Sequence, residues 1–161
     1  MLTDVLGDLQ NLSFVVELRR SRWAYPLVNA GHILGIALLF GAIVPLDLRL
    51  LGLWRSVPIG TLSRVLLPVA LSGLLIAIAM GGLLFAVRAE KYAAMAFFQI
   101  KALVILAALT NVMLLHIAAE WRASQADTDV APPLRFRVAG LMSIGLWTCA
   151  IVFGRMIAYA E

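Results

Sequence analysis

The stretch AYPLVNAGHILGIALLFGAIV, residues 24–44, is 21 residues long, and His32 is its one side chain that changes charge near neutral pH. At a rise of about 1.5 Å per residue, a helix of this length spans the roughly 30 Å of a bilayer's hydrocarbon. Backbone N–H and C=O groups find no water there, so the segment must satisfy them internally, as a helix does. Arg19, Arg20 and Arg22 lead into the span; Pro45 marks its expected exit, with Asp47 and Arg49 beyond.

Three further stretches read the same way, at about 65–87, 93–119 and 138–159. Four spans predict an all-α integral membrane four-helix bundle, one transmembrane domain covering 23–161. Composition agrees: 63% of the 161 residues are hydrophobic and 14% charged, where soluble domains carry about a quarter charged residues. Residues 88–92 read as a tight turn, while 46–64 and 120–137 are longer, polar connections. Ala131-Pro132-Pro133 blocks any helical run ahead of the fourth span. An even number of spans puts both termini on one face, the terminal face, opposite a loop face.

The segment 1–22 carries Asp4, Asp8 and Glu17 and lacks a basic start followed by an apolar run, so no cleavable signal is expected. Leu2, Val5, Leu6, Leu9, Leu12 and Val16 recur at helical spacing opposite Asp4, Asp8, Gln10 and Asn11. That pattern predicts an amphipathic helix lying in the membrane interface, broken near Ser13.

Interfacial aromatics fit this layout. Trp23, Tyr25, Tyr92 and Tyr159 fall at the terminal face, Trp54 and Trp121 at the loop face. The terminal face carries Arg19, Arg20, Arg22, Arg88 and Lys91; the loop face carries Arg49, Arg55, Arg64, Arg122, Arg135 and Arg137. This near-balance of basic residues sets no orientation. The net charge of +4 contains no basic run of the nucleic-acid-binding kind and suits anionic headgroups. Cys149 is the sole cysteine, which excludes an intrachain disulfide.

Lipid tails are as apolar as leucine, so membrane helices associate where small residues let backbones meet. Gly31 and Gly35 on the first span, Gly73, Ala77 and Gly81 on the second, and Ala150 and Gly154 on the fourth have that spacing. They serve either packing inside the bundle or contact with other membrane subunits or a second copy. Pro68 is expected to kink the second span.

Ionisable residues inside spans are costly and mark candidate sites. His32 and Lys101 each lie seven residues below the terminal end of their spans, about 10 Å deep, with Arg155 slightly shallower. Asn29 sits one turn above His32. This cationic group lacks an acid at its depth, so either its side chains snorkel to the interface or an anionic or hydrogen-bonding group compensates them. A haem propionate, a quinone oxygen or a lipid phosphate has the required chemistry. His32, flanked by Gly31 and Gly35, is a candidate axial ligand to haem b iron. Met80, Met95, neutral Lys101 or another subunit could complete the pair.

His116 lies about 33 Å along the third span and belongs to the loop face, so it cannot share an ion with His32. With Glu120 at i+4 it reads as an interfacial histidine; a metal or haem site there would need Asp47, Met113 or Met142. The sequence contains no CxxC, HExxH, P-loop or GxGxxG-plus-acid pattern, so soluble-type hydrolase or nucleotide chemistry has no support.

Tyr25-Pro26-Leu27-Val28, His32-Ile33-Leu34-Gly35 and Asp47-Leu48-Arg49-Leu50-Leu51-Gly52 resemble the first-span signature of a bacterial inner-membrane family of unknown function. Gly82-Leu83-Leu84-Phe85, Phe98-Gln99-Ile100-Lys101 and Gly154-Arg155 extend the likeness over nearly the whole chain. The resemblance implies an inner-membrane multi-pass protein and marks His32, Asp47, Arg49, Lys101 and Arg155. In that pattern a basic residue can stand where His116 is. A looser, fold-level likeness runs to four-helix cytochrome b and copper-resistance membrane proteins.

Two readings follow. One is a membrane subunit associated with electron transfer, binding haem b or facing a quinone near the terminal face. The other is a non-catalytic accessory subunit packed against a larger complex. Catalysis by this chain alone is not expected, and transport is the poorer match because no mid-membrane helix break or repeat of the first half in the second is evident.

Overall fold

Seven helices make up the described chain: α1 (Leu2–Gln10), α2 (Ser13–Arg20), α3 (Ala24–Leu50), α4 (Ile59–Val87), α5 (Ala89–Ala94), α6 (Ala96–His116) and α7 (Leu134–Tyr159). This computed structural model describes residues 2–118, 121 and 132–159. Glu120, Arg122 and the 122–131 part of the second polar connection lie outside the described residues. No strand occurs among the described residues. The fold is all-helical, and α3, α4, α6 and α7 are long and apolar enough to cross a membrane. In the most apolar window of each, only 11–28% of residues are buried within the chain. So much exposed apolar surface suits acyl chains and not water.

The helices pair in a definite order. α3 packs most extensively on α4 and α6 on α7, while α3 against α7 joins the two pairs; α4 and α6 keep their backbones apart and meet through side chains, with Phe85 of α4 stacked on Phe98 of α6 at 5.0 Å between ring centres. Glycines set the first pair. A Cβ on Gly35 would stand 2.6 Å from Ala77 N and 2.9 Å from Gly73 O, and one on Gly73 would stand 2.5 Å from Leu39 N. The two backbones are therefore in direct contact, and the small-residue stripes of the first and second spans face each other. At the junction of the pairs, a Cβ on Gly140 would meet Asp47 O at 2.9 Å. Asn111 Nδ2 donates to Ala139 O at 2.9 Å, tying α6 to α7.

Three boundaries differ from expectation. The first span does not exit at Pro45: α3 continues through it to Leu50, taking Asp47 and Arg49 into the helix. Proline removes one hydrogen bond, but Leu46 and Leu50 are buried in the loop-face core and hold the last turns in place. The stop signal is Gly52, in the left-handed region at φ +104. Leu53 N–H donates to Leu48 O and Gly52 N–H to Arg49 O, the paired bonds of a Schellman cap. The connection is therefore 51–58, shorter than 46–64. Residues 88–92 are not a plain turn; most belong to the short helix α5. α6 restarts after Met95, which is extended.

The N-terminal segment is helical and interrupted next to Ser13, as its pattern predicts. α2 buries Val15 against Ala86 and Val87 at the end of α4, with Leu9, Leu18 and Tyr25 around them. Val5, Leu12 and Phe14 remain exposed. Of the predicted belt, Trp23, Tyr159 and Trp54 are exposed, whereas Trp121 is buried between His116 and Phe136 in the loop-face core.

Replacing Gly35 by Ala is expected to destabilise the protein by about 1–3 kcal/mol, because a methyl group is driven into backbone that cannot yield. Gly41→Ala, with nothing within 4 Å of the added carbon, is expected to be neutral. Thermal unfolding of the two purified variants in the same detergent checks the difference.

Candidate functional site

His32 is placed by the α3–α4 contact. Its Nδ1 lies 2.8 Å from Ala77 O, and a carbonyl only accepts, so Nδ1 carries the proton. In the neutral ring, Nε2 then keeps its lone pair. The ring fits a notch over Gly81, where an added Cβ would stand 2.8 Å from Cε1. Gly31 does the corresponding service for Met80, whose Cγ would be 3.2 Å from a Cβ there. The glycines beside His32 thus do not clear space for its own ring: Gly31 admits the Met80 side chain and Gly35 the α4 backbone, while the ring's room comes from Gly81.

Lys101 comes from α6 and lies against α7. A Cβ on Gly154 would stand 3.1 Å from its Nζ. The ammonium is half-buried and within electrostatic reach of the His32 ring. Among the described residues no side chain forms an ion pair or hydrogen bond with it.

The other two residues of the predicted group face outward. Arg155 is exposed; its Nη2 donates to Tyr159 Oη at 3.1 Å and its guanidinium lies 4.8 Å from that ring's centre. It runs up its own helix toward the terminal interface. Asn29 is also exposed. His32 and Lys101 are thus half-buried, whereas Arg155 and Asn29 are exposed.

At the loop face, His116 Nδ1 lies 2.8 Å from Val112 O, and the ring packs 4.6 Å from that of Trp121. It is a satisfied histidine at the edge of a core. Among the described residues no group of three His, Cys, Asp or Glu side chains converges on a point where a metal ion could sit. Arg49 is buried and acts as a clamp: Nε donates to Val57 O at 2.6 Å and Nη2 to Arg55 O at 3.3 Å. It holds the 51–58 connection onto α3.

Sequence reasoning missed a polar cluster where α3 meets α7. Asp47, Ser143 and Trp147 are 5%, 3% and 6% exposed. The Ser143 hydroxyl faces the Asp47 carboxylate at the edge of hydrogen-bonding range, and Trp147 Nε1 has no hydrogen-bond partner among the described residues. The signal was present: Gly140, Ser143, Trp147 and Ala150 follow a three-four spacing and form the buried face of α7. Placing Asp47 beyond the first span hid its partner face.

No family model, no curated protein and no solved structure matches this chain.

Gly81→Ala is expected to push the imidazole off Ala77 O, since 2.8 Å leaves no room for a methyl beside Cε1. Gly82→Ala, with open space around it, serves as the matched control. Imidazole ¹⁵N chemical shifts report the outcome: the single-tautomer pattern of His32 is lost in the first variant and kept in the second.

Proposed function

We propose that this chain is an integral membrane subunit of the bacterial inner membrane associated with electron transfer, and that His32 and Lys101 form the place where it meets a redox group. One observation carries the reading: a lone-pair nitrogen held in a fixed tautomer shares a level with a half-buried ammonium that has no acidic partner among the described residues. Metal-ligating histidines usually donate their second ring nitrogen to a carbonyl or carboxylate, as His32 does to Ala77. An unpaired cation in a low dielectric favours a negative or strongly accepting guest.

Two groups suit that pair. Haem b would be held by His32 Nε2 on its iron and by Lys101 compensating a propionate, and would supply one-electron redox chemistry. For a quinone, the same two side chains address ring oxygens, Lys101 as donor and His32 Nε2 as acceptor. The resemblance of the first-span signature to an inner-membrane family agrees with the location and adds no activity.

The accessory-subunit reading drew on the small-residue stripes as a contact surface. Gly35, Gly73 and Ala77 are consumed by packing of α3 on α4, which removes much of its motive.

The reduced-minus-oxidised absorption spectrum of purified protein tests the proposal. A Soret band and a sharp α-band are expected, with bound haem falling at least about tenfold in His32→Ala. If haem is absent, solvent extraction of the same preparation is expected to yield a bound quinone that both His32→Ala and Lys101→Ala deplete. A preparation free of both groups sinks the redox reading and leaves the accessory role.

A further inference from the structure

We infer that the corner between α2 and α3 binds one anionic phospholipid, with Arg19, Arg20 and Arg22 on its phosphate and the outer face of α3 along its acyl chain. The site stands apart from the His32–Lys101 pair: His32 contacts Ala77 O of α4, whereas the lipid-binding residues of α3 face outward.

Arg19, Arg20 and Arg22 fall within four consecutive residues, and all three are exposed. None forms an ion pair among the described residues, although Glu17 stands one turn before Arg20 on the same helix. Arg22 lies over the Trp23 ring, 5.6 Å from its centre. The backbone that carries them is braced. Val15 is fully buried against Ala86 and Val87 at the end of α4, with Leu18 and Tyr25 around it. Ser21 N–H donates to Glu17 O at 2.9 Å, and Ala24 N–H donates to Ser21 Oγ at 3.1 Å. The end of α2 is thereby tied to the start of α3, and the three guanidinium stems leave a fixed corner instead of a free tail.

Below that corner the helix offers a matching apolar surface. Leu27 N–H donates to Trp23 O, so Trp23 is in helical register with α3. Trp23, Leu27, Ala30 and Leu34 recur at spacings of four, three and four, which aligns them along one side of the helix. All four are exposed, Trp23 at 70%, Leu27 at 69% and Leu34 at 57%. From Trp23 to Leu34 the helix rises about 16 Å, about half of the roughly 30 Å of hydrocarbon, the depth that one leaflet's acyl chain reaches. Ala30 leaves a shallow recess between Leu27 and Leu34, and the indole stands where headgroup gives way to chain.

The order of these groups selects the guest. Guanidinium groups hold phosphate through charge-assisted, often paired hydrogen bonds. Each basic residue at a membrane surface strengthens attraction to anionic lipid about fivefold. A zwitterionic headgroup brings its own ammonium among three arginines and is disfavoured. A soluble phosphate has no chain to cover Trp23 and Leu27. A phospholipid with a net negative headgroup meets both requirements at once.

Native mass spectrometry of the full chain released from detergent micelles, titrated with palmitoyl-oleoyl phosphatidylglycerol, tests the site. One tightly held lipid per chain is expected, together with a raised Tm in the same detergent. Affinity is expected to fall about fivefold in each of Arg19→Gln, Arg20→Gln and Arg22→Gln, and about a hundredfold in the triple variant. Ala30→Phe, which fills the recess, is expected to weaken binding several-fold. Arg64→Gln removes an exposed cation at the loop face and is expected to leave the titration unchanged. Comparison of phosphatidylglycerol with phosphatidylcholine on the unmutated chain keeps the test decisive if the triple variant is unstable. Equal binding of phosphatidylcholine, equal stabilisation by glycerol 3-phosphate, full lipid retention by the triple variant, or a chain dimer in place of the lipid adduct would each overturn the assignment. A spectrum lacking haem leaves this titration untouched, so the two sites succeed or fail separately.

Discussion

The contact between Gly35 of α3 and Gly73 of α4 is the constraint on which the remaining geometry depends. With no side chain between them, the two backbones approach until an added Cβ on either glycine would lie 2.5–2.6 Å from a backbone nitrogen of the other helix. In lipid there is no hydrophobic gain from bringing two apolar helices together, so this close packing must come from dispersion and shape. Once α3 and α4 are locked in register, Ala77 O falls opposite His32, and Gly81 supplies the notch for its ring. The same lock turns the other side of α3 toward α7, where Gly140 meets Asp47 O.

The bundle is consequently asymmetric. Two close pairs, α3–α4 and α6–α7, meet along α3 and α7, while α4 and α6 face each other only through larger side chains such as Phe85 and Phe98. The two polar levels have opposite character: a cationic one near the termini, built from His32 and Lys101, and an acidic one nearer the loops, built around Asp47.

Reading the sequence against the structure separates two kinds of inference. The number of crossings, the break in the N-terminal segment next to Ser13, and the separation of His32 from His116 followed from hydropathy, spacing and helical rise. The common depth of His32 and Lys101 followed too, and the two are in electrostatic reach. Which way each side chain points did not follow. Arg155 shares that depth yet folds back along its own helix to Tyr159, because a long cationic side chain near a span's end reaches the interface at little cost. Proline misled the reading of the first span: Pro45 weakens a helix, but burial of Leu46 and Leu50 outweighs the lost bond, and the Gly52 cap ends it. Ser143 and Trp147 were passed over because serine and tryptophan are unremarkable in a membrane helix until both are seen buried, unmatched and facing a carboxylate.

What the amino-acid order determined by itself was the axial coordinate. Each residue's height in the membrane follows from a rise per residue that the helix's own hydrogen bonds dictate, whatever the neighbours are. The tertiary structure decided the rotational coordinate. The face a helix turns inward depends on which backbone its glycines touch, and that is a property of two helices at once. Depth therefore placed a histidine and a lysine at one level, but only packing could show what each side chain rests against, and only packing could bring an acid, a hydroxyl and an indole together at the α3–α7 junction.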